Sequence, residues 1–425
     1  MWVNRRSIAS LSFVAFATFL FAQTSLDAGF VNPPNSAKPH TWWHWINGNI
    51  SKAGITADLE AMKKIGLGGA QIFNVEVGIP VGKTPMMTPQ WQEAMAWAFK
   101  EAKRLNIEIC VHNCGGWSSS GGPWVKPEDA MQFLTWSETT VKGPKRFEGI
   151  LPKPQSKLNY YKDIAVYAVR KPANGTFRNP DIRAKAGFDR GDKIAPQFLT
   201  IPANSVTAKD DVITLAVDSQ GRVSWNAPEG EWTLIRMGHT PTGAVNSPSP
   251  EAGRGPEVDK MSRTAMDHFW DGMMASVLKD NGTIEKYGLN NALIDSYEVG
   301  SQNWTPKFRE EFMKRRGYDP MPYLPTITGR IVQSGEMTER FLWDWRRTIC
   351  DLFADNYFAY FKELCHKNGL KFSVEGYGNG SFDNLQVSGL GDIPMGEFWV
   401  PNGMAQESTK LAASAAHTNG QPVIG

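Results

Sequence analysis

Six short apolar runs in this chain stop abruptly at polar or acidic side chains, and stretches with helical spacing of apolar residues separate most of them. The runs are Thr41–Gly48, Ala70–Glu76, Ile107–Asn113, Ala292–Glu298, Lys371–Tyr377 and Ile393–Trp399. Near-continuous apolar segments of this length suit strands buried on both faces, as in a parallel sheet, which needs a crossover between neighbours. The intervening stretches supply it. Ile55, Leu59, Met62 and Ile65 repeat at helical spacing after a capping Thr56, with Gly66 as a stop. Trp91 to Leu105 carries Met95, Ala98, Phe99, Ala102 and Leu105 on one face.

Later helices are expected over about 260–279, from Pro306, from Glu336 to about Gly369, and over Glu407–Thr418. Pro422-Val423-Ile424-Gly425 begins a seventh strand. Strand and helix in this alternation predict an α/β fold, a (β/α)8 TIM-type barrel incomplete at its C-terminus. Between about 140 and 250 the rhythm changes to short alternating runs such as Ile164–Val169 and Trp232–Met237, bounded by Pro, Gly, Asn and Asp. These predict a β-rich insertion after the third strand. The expected divisions are 1–22, 23–140 for the first part of the barrel, 141–255 for the insertion, and 256–425 for the second part, cut at strand seven.

Residues 1–22 read as a signal peptide, with Arg5 and Arg6 before an apolar stretch and Ala22 at the cleavage position; an uncleaved anchor is the alternative. The expected destination is the periplasm or the cell exterior, with no membrane association after cleavage. Lys plus Arg is 45 against 43 for Asp plus Glu, a net charge of +2, which gives no basic excess for nucleic acid or a membrane surface. The four Cys form no framework; Cys110 and Cys114, flanking His112, read as packing residues or one local disulfide.

Chemistry is expected where the strands end. Their termini bring His44, Asn47, Glu76, Asn113, Asp295, Glu298, Glu375, Tyr377 and Glu397 toward one rim, with Trp43, Trp45, Trp117, Tyr297 and Trp399 nearby. The 16 Trp offer faces for a sugar ring or for a core. Several acids among aromatics fit glycoside hydrolysis, which needs one protonated carboxyl for the leaving oxygen and a second carboxylate for water or the anomeric carbon. Glu298 is the catalytic candidate; a helix cap or an Arg pair is the plainer reading of Asp295 and Glu298. Acids beyond that pair suggest bound Ca²⁺, with Glu397 as ligand or, alternatively, paired with an Arg. The Gly115–Trp124 segment, with four Gly and two Trp, reads as a ligand-lining loop and lacks the Lys of a phosphate loop. No His-Glu-x-x-His zinc motif and no Gly-x-Ser-x-Gly elbow is present.

Trp42–Ile50, Asn113–Ser118 with Gly121–Trp124, Trp232–Arg236, Asp259-Lys260, Asp295–Glu298 and His417–Gly425 together resemble the glycoside hydrolase family 106 α-L-rhamnosidases. The resemblance covers nearly the whole mature chain. It implies an exported barrel enzyme that removes terminal α-L-rhamnose from plant glycans or glycosides by inversion, with calcium in the sugar site. It makes Glu298 the general acid and puts the general base just after Gly425, so the 425-residue chain alone is expected to hydrolyse little. Two other readings stay open: a retaining barrel glycosidase of the β-galactosidase type, and a non-catalytic carbohydrate-binding remnant.

Overall fold

The computed structural model describes residues 26–189, 200–202, 204–281, 288–378, 380–397 and 406–424. Residues 1–22 and Trp399, for which a signal peptide and a substrate contact are expected, lie outside them.

Each expected strand forms. β1 (His40–Ile46), β2 (Gly69–Val75) and β3 (Glu108–Gly115) precede the insertion, whose strands are β4 (Gln132–Ile150), β5 (Lys162–Arg170), β6 (Val212–Leu215) and β7 (Arg222–Pro241). β8 (Leu289–Ile294), β9 (Lys371–Glu375) and β10 (Ile393–Met395) follow it. The first three and last three make one parallel sheet in the order β1-β2-β3-β8-β9-β10. Ile424 adds a parallel bridge to Met395, where the seventh strand is expected to begin. The sheet curls as part of a barrel, and the described strands do not close it into eight.

Strand alternation sorts the side chains. One face packs Trp43, Trp45, Ala70, Ile72, Ile109, Val111, Ala292, Ile294, Phe372 and Val374 against helices, in the main core. The other face gathers a smaller apolar cluster of Phe73, Val75, Cys110, Leu293, Ile393 and Met395, with Ile46 and Ile424.

The helices follow the expected spacing with three local differences. The first covers Lys52–Lys64, and its N-cap is Ser51, whose side chain accepts from the Gly54 N–H. Thr56 instead accepts the Trp97 indole N–H. The stretch expected as one helix over 260–279 breaks at Met273 into Arg263–Gly272 and Met274–Asn281. The long one runs as Gly335–Leu352, a π-turn over Phe353–Phe358, then Ala359–Lys367.

The insertion is a four-stranded antiparallel sheet in the order β4-β7-β5-β6. Its first strand starts at Gln132, nine residues earlier than expected at 141. Cys110, Cys114, Cys350 and Cys365 are all free, so the local disulfide does not form. No helix among the described residues is long and apolar enough to cross a membrane.

Candidate active site

The C-terminal ends of parallel strands are where a curled sheet offers side chains free of the ladder. Register decides which of them meet. Ile294 pairs with Val374, and Glu375 pairs with Met395. The residues one step on, Asp295 and Glu375, therefore stand side by side on neighbouring strands. Both are buried, at 4% and 1% exposure.

Asp295 Oδ1 accepts the Ser296 N–H at 2.7 Å, and Glu375 Oε2 accepts the same N–H at 3.2 Å. The Tyr377 hydroxyl donates to Glu375 Oε2 at 2.8 Å and is also bonded to Glu397. The remaining carboxyl oxygens, Asp295 Oδ2 and Glu375 Oε1, have no donor.

Two ionised carboxylates do not coexist in such a place. Burial first, and then the charge of Glu397, push Asp295 up to about 7. Burial, then the charges of Asp295 and Glu397, raise Glu375 well above the usual carboxylate range. With both carboxyls raised, the pair holds a proton near neutral pH. The same surroundings raise the Tyr377 phenol well above its usual range.

Because the Asp295 carboxyl ionises near 3.8 when unfolded and near 7 here, stability falls as pH climbs between those values. Asp295→Asn removes that loss. We expect it to leave stability unchanged at pH 4 and to raise it by about 2 kcal/mol at pH 8 in a chelator-containing buffer, read by chemical denaturation. A variant that is less stable at pH 8 would contradict the shared proton.

The structure thus gathers Asp295, Glu375, Tyr377 and Glu397. Glu298, three residues past Asp295, is exposed on the loop that leaves β8 and makes no hydrogen bond to other described residues. His44 is exposed, its ring 6.2 Å from that of Trp117, and burial lowers its pKa. Asn113 is buried and donates to the Ser119 carbonyl at 3.0 Å, so it shapes the Gly-rich loop from beneath. Asn47 and Glu76 hold the loop after β2: Asn47 donates to the Ile79 carbonyl at 2.7 Å, and Glu76 accepts the Gly78 N–H at 2.5 Å.

Three expected sugar contacts lie elsewhere. Trp43 and Trp45 pack edge to face with ring centroids 5.6 Å apart, buried under the helices, because odd positions of β1 point that way. Tyr297 is fully buried among Phe353 and Phe382, with the Lys260 ammonium 5.2 Å from its ring. It anchors the strand end between Asp295 and Glu298 rather than facing a ligand. An exposed ring that the strand alternation also marks is Trp42, which packs on the buried Phe73, itself stacked on His112. Trp42 is 39% exposed and stacks at 6.3 Å on His44. The signal was available in the i, i+2 alternation Trp42, His44, Ile46.

Beneath the rim lies a second group. Lys260 and Glu257 form an ion pair at 2.8 Å with both side chains fully buried. Glu257 Oε2 also accepts the Ser120 hydroxyl at 2.6 Å, and the Lys260 ammonium lies against the rings of Tyr297 and Tyr357. The pair ties the Gly-rich loop to the floor of the β8 terminus. Gly378 performs a similar task from β9: its φ is +136°, and a Cβ there would meet the Tyr297 carbonyl at 2.1 Å.

A solved structure, the rhamnosidase from Novosphingobium sp. PP1Y, superposes with a TM-score of 0.80 at 27% identity, over 94% of this chain and 52% of that one. A curated protein of Formosa agariphila named "Putative beta-glucuronidase" is 49% identical over 419 residues, which is 98% of this chain and 36% of that protein. The chain therefore spans about a third of the curated relative and about half of the solved one. The profile of glycoside hydrolase family 106, described as alpha-L-rhamnosidase, matches residues 31–184 and 176–425, and the chain belongs to that family.

Proposed function

We propose that the full-length protein is a glycosidase that releases terminal α-L-rhamnose from plant glycans or glycosides, with inversion at the anomeric carbon. The observation that carries this reading is the convergence of Asp295, Glu375, Tyr377 and Glu397 at the C-terminal ends of neighbouring strands of the curled sheet. It is supported by membership of the rhamnosidase family.

In this account the curled sheet is part of an eight-stranded barrel. Glu298, on the loop after β8, protonates the leaving oxygen. The general base follows Ile424, which already bonds to the Pro394 and Gly396 backbone beside β10 and so points the next residues toward the same rim. The polar side chains of Asp295, Glu375 and Tyr377 orient the sugar hydroxyls, with Asn113 and Trp117 shaping the wall. The protein is exported, and its partner is the carbohydrate.

Ca²⁺ is part of the proposal. The unpartnered oxygens of Asp295 and Glu375, with Glu397 close enough to raise both pKa values, form an all-oxygen donor set of the kind that ion takes. Among the described residues no group of three or more His, Cys, Asp or Glu side chains is already at ligand spacing, so sugar hydroxyls or backbone carbonyls would complete the shell. The ion would hold vicinal hydroxyls and neutralise the acids. Adding Ca²⁺ at pH 8 should raise the melting temperature of the wild type and not that of Glu375→Gln; an equal rise in both would remove the ion from this site.

One observation favours a second reading. The relative from Formosa agariphila carries a name that points to a β-glucuronide. Aryl α-L-rhamnoside, β-D-glucuronide and β-D-galactoside, assayed side by side with the full-length protein, separate the possibilities. We expect turnover of the rhamnoside at least about 100-fold above the others. Preference for the glucuronide would overturn the substrate and keep the site.

A further inference from the structure

The helix Gly335–Leu352 buries Phe341, Leu342, Trp345, Ile349 and Leu352 in the core. Its opposite side presents Trp343, Arg346, Arg347 and Cys350, a spacing of three, four and seven residues that puts all four on one face. Facing them is the loop after β9, which lines the pocket from Gly378, one residue beyond Tyr377. A pocket of about 430 Å³ separates the two.

The chemistry of this pocket is unlike the acidic rim. Arg346 is mostly buried and donates to the Ala184 carbonyl, yet it is in no ion pair among the described residues, and burial lowers its pKa. A partly buried guanidinium with no carboxylate on it among the described residues keeps its charge available to an anionic ligand. Arg347 stands beside it, 41% exposed and held by Asp351 at 2.9 Å. Trp343 is 64% exposed, a large apolar ring in water with no packing role. The Ser381 hydroxyl, on the loop side, is buried with no partner. The one carboxylate in the lining, Asp383, has an oxygen engaged by the Gln386 N–H as the cap of the next helix.

We propose that this pocket binds an anionic sugar unit, a uronate or a sulfated residue, adjacent to the sugar that is cleaved at the rim; the word adjacent rests on the glycosidase reading above. A planar guanidinium takes a carboxylate or sulfate by paired hydrogen bonds, and the Trp343 ring covers the apolar face of a pyranose. The substrate is then a chain in which a neutral terminal sugar precedes an acidic one.

The test is binding rather than turnover. D-glucuronate, glucose 6-sulfate and glucose are titrated against the protein, wild type and two variants, with saturation-transfer NMR as the readout. We expect at least one of the two anions to bind about tenfold more tightly than glucose, and to weaken as salt rises. Trp343→Ala, at an exposed position that leaves the core intact, and Arg346→Gln should each reduce that binding about tenfold. The hydrolysis of a simple aryl glycoside should stay unchanged in Trp343→Ala. Glucuronate binding alone assigns a carboxylate, and glucose 6-sulfate alone assigns a sulfate ester. Equal binding of all three sugars overturns the inference, and so does anion binding that Trp343→Ala leaves unmoved. Failure of hydrolysis with the binding pattern intact would fall on the glycosidase reading instead.

Discussion

We expect Glu298→Gln to slow hydrolysis of glycosides with poor leaving groups by about 10²–10⁴-fold and to spare an activated aryl glycoside. The difference follows from what a general acid does. A sugar or alkyl alcohol must be protonated as it departs, whereas a nitrophenolate leaves without help. Glutamine keeps the size of the side chain and removes the proton, so packing at this exposed position does not change. The measurement is kcat/KM for a series of aryl rhamnosides of rising leaving-group pKa. A slope steeper in the variant than in the wild type identifies the acid. Parallel lines, with the same loss on every substrate, would take Glu298 out of that role and leave the carboxyl pair below as the candidate proton donor.

Lys260→Met should destabilise the protein by about 3–5 kcal/mol, because it strands the Glu257 carboxylate with neither its cation nor water. Both side chains are fully buried, and Glu257 Oε1 already lacks a partner. Adding Glu257→Gln to that variant should recover most of the loss: the amide carries no charge and can still accept the Ser120 hydroxyl. Urea unfolding of the wild type, the single variant and the double variant closes the cycle. If the double variant is no more stable than Lys260→Met, the cost arises from lost packing against Tyr297 and Tyr357 and not from the stranded charge. The pair lies under both the Gly-rich loop and the β8 terminus, so the single variant is also expected to blunt sugar binding.

How far these features could be read from sequence depends on the length scale of the interaction. The parallel strands were legible because each is an apolar run that stops at a polar cluster, and the helices because their spacing is regular. Asp295 beside Glu375 follows from the single crossover that puts β8 and β9 next to each other in parallel. The direction of a side chain was harder. Trp42-Trp43-His44-Trp45 is aromatic at every position, so composition marks all four, and only the alternation tells that Trp42 and His44 face outward while Trp43 and Trp45 pack. Tyr297 lies two residues past Asp295, where strand alternation would put both on one face, but β8 ends at Ile294 and the chain beyond it turns the Tyr297 ring into the core against Phe353 and Phe382.

Two other features had no local signal. Glu257 and Lys260, three residues apart, look like a solvated pair, and nothing nearby announces full burial. The start of the insertion at Gln132 was obscured because β4 pairs with β7 across about a hundred residues, and the early part of β4 carries no turn residue to mark it. Arg346 and Trp343 belong to an ordinary amphipathic helix until the loop after β9 is placed opposite them.

The central claim is that the open end of the curled sheet inverts an α-L-rhamnoside. Proton NMR of an aryl α-L-rhamnoside during the first minutes of hydrolysis by the full-length protein tests it most directly. The account predicts L-rhamnose whose β anomer appears first and equilibrates to the α form later. Early α anomer would indicate retention through a covalent intermediate and contradict the mechanism; no rhamnose at all would contradict the substrate.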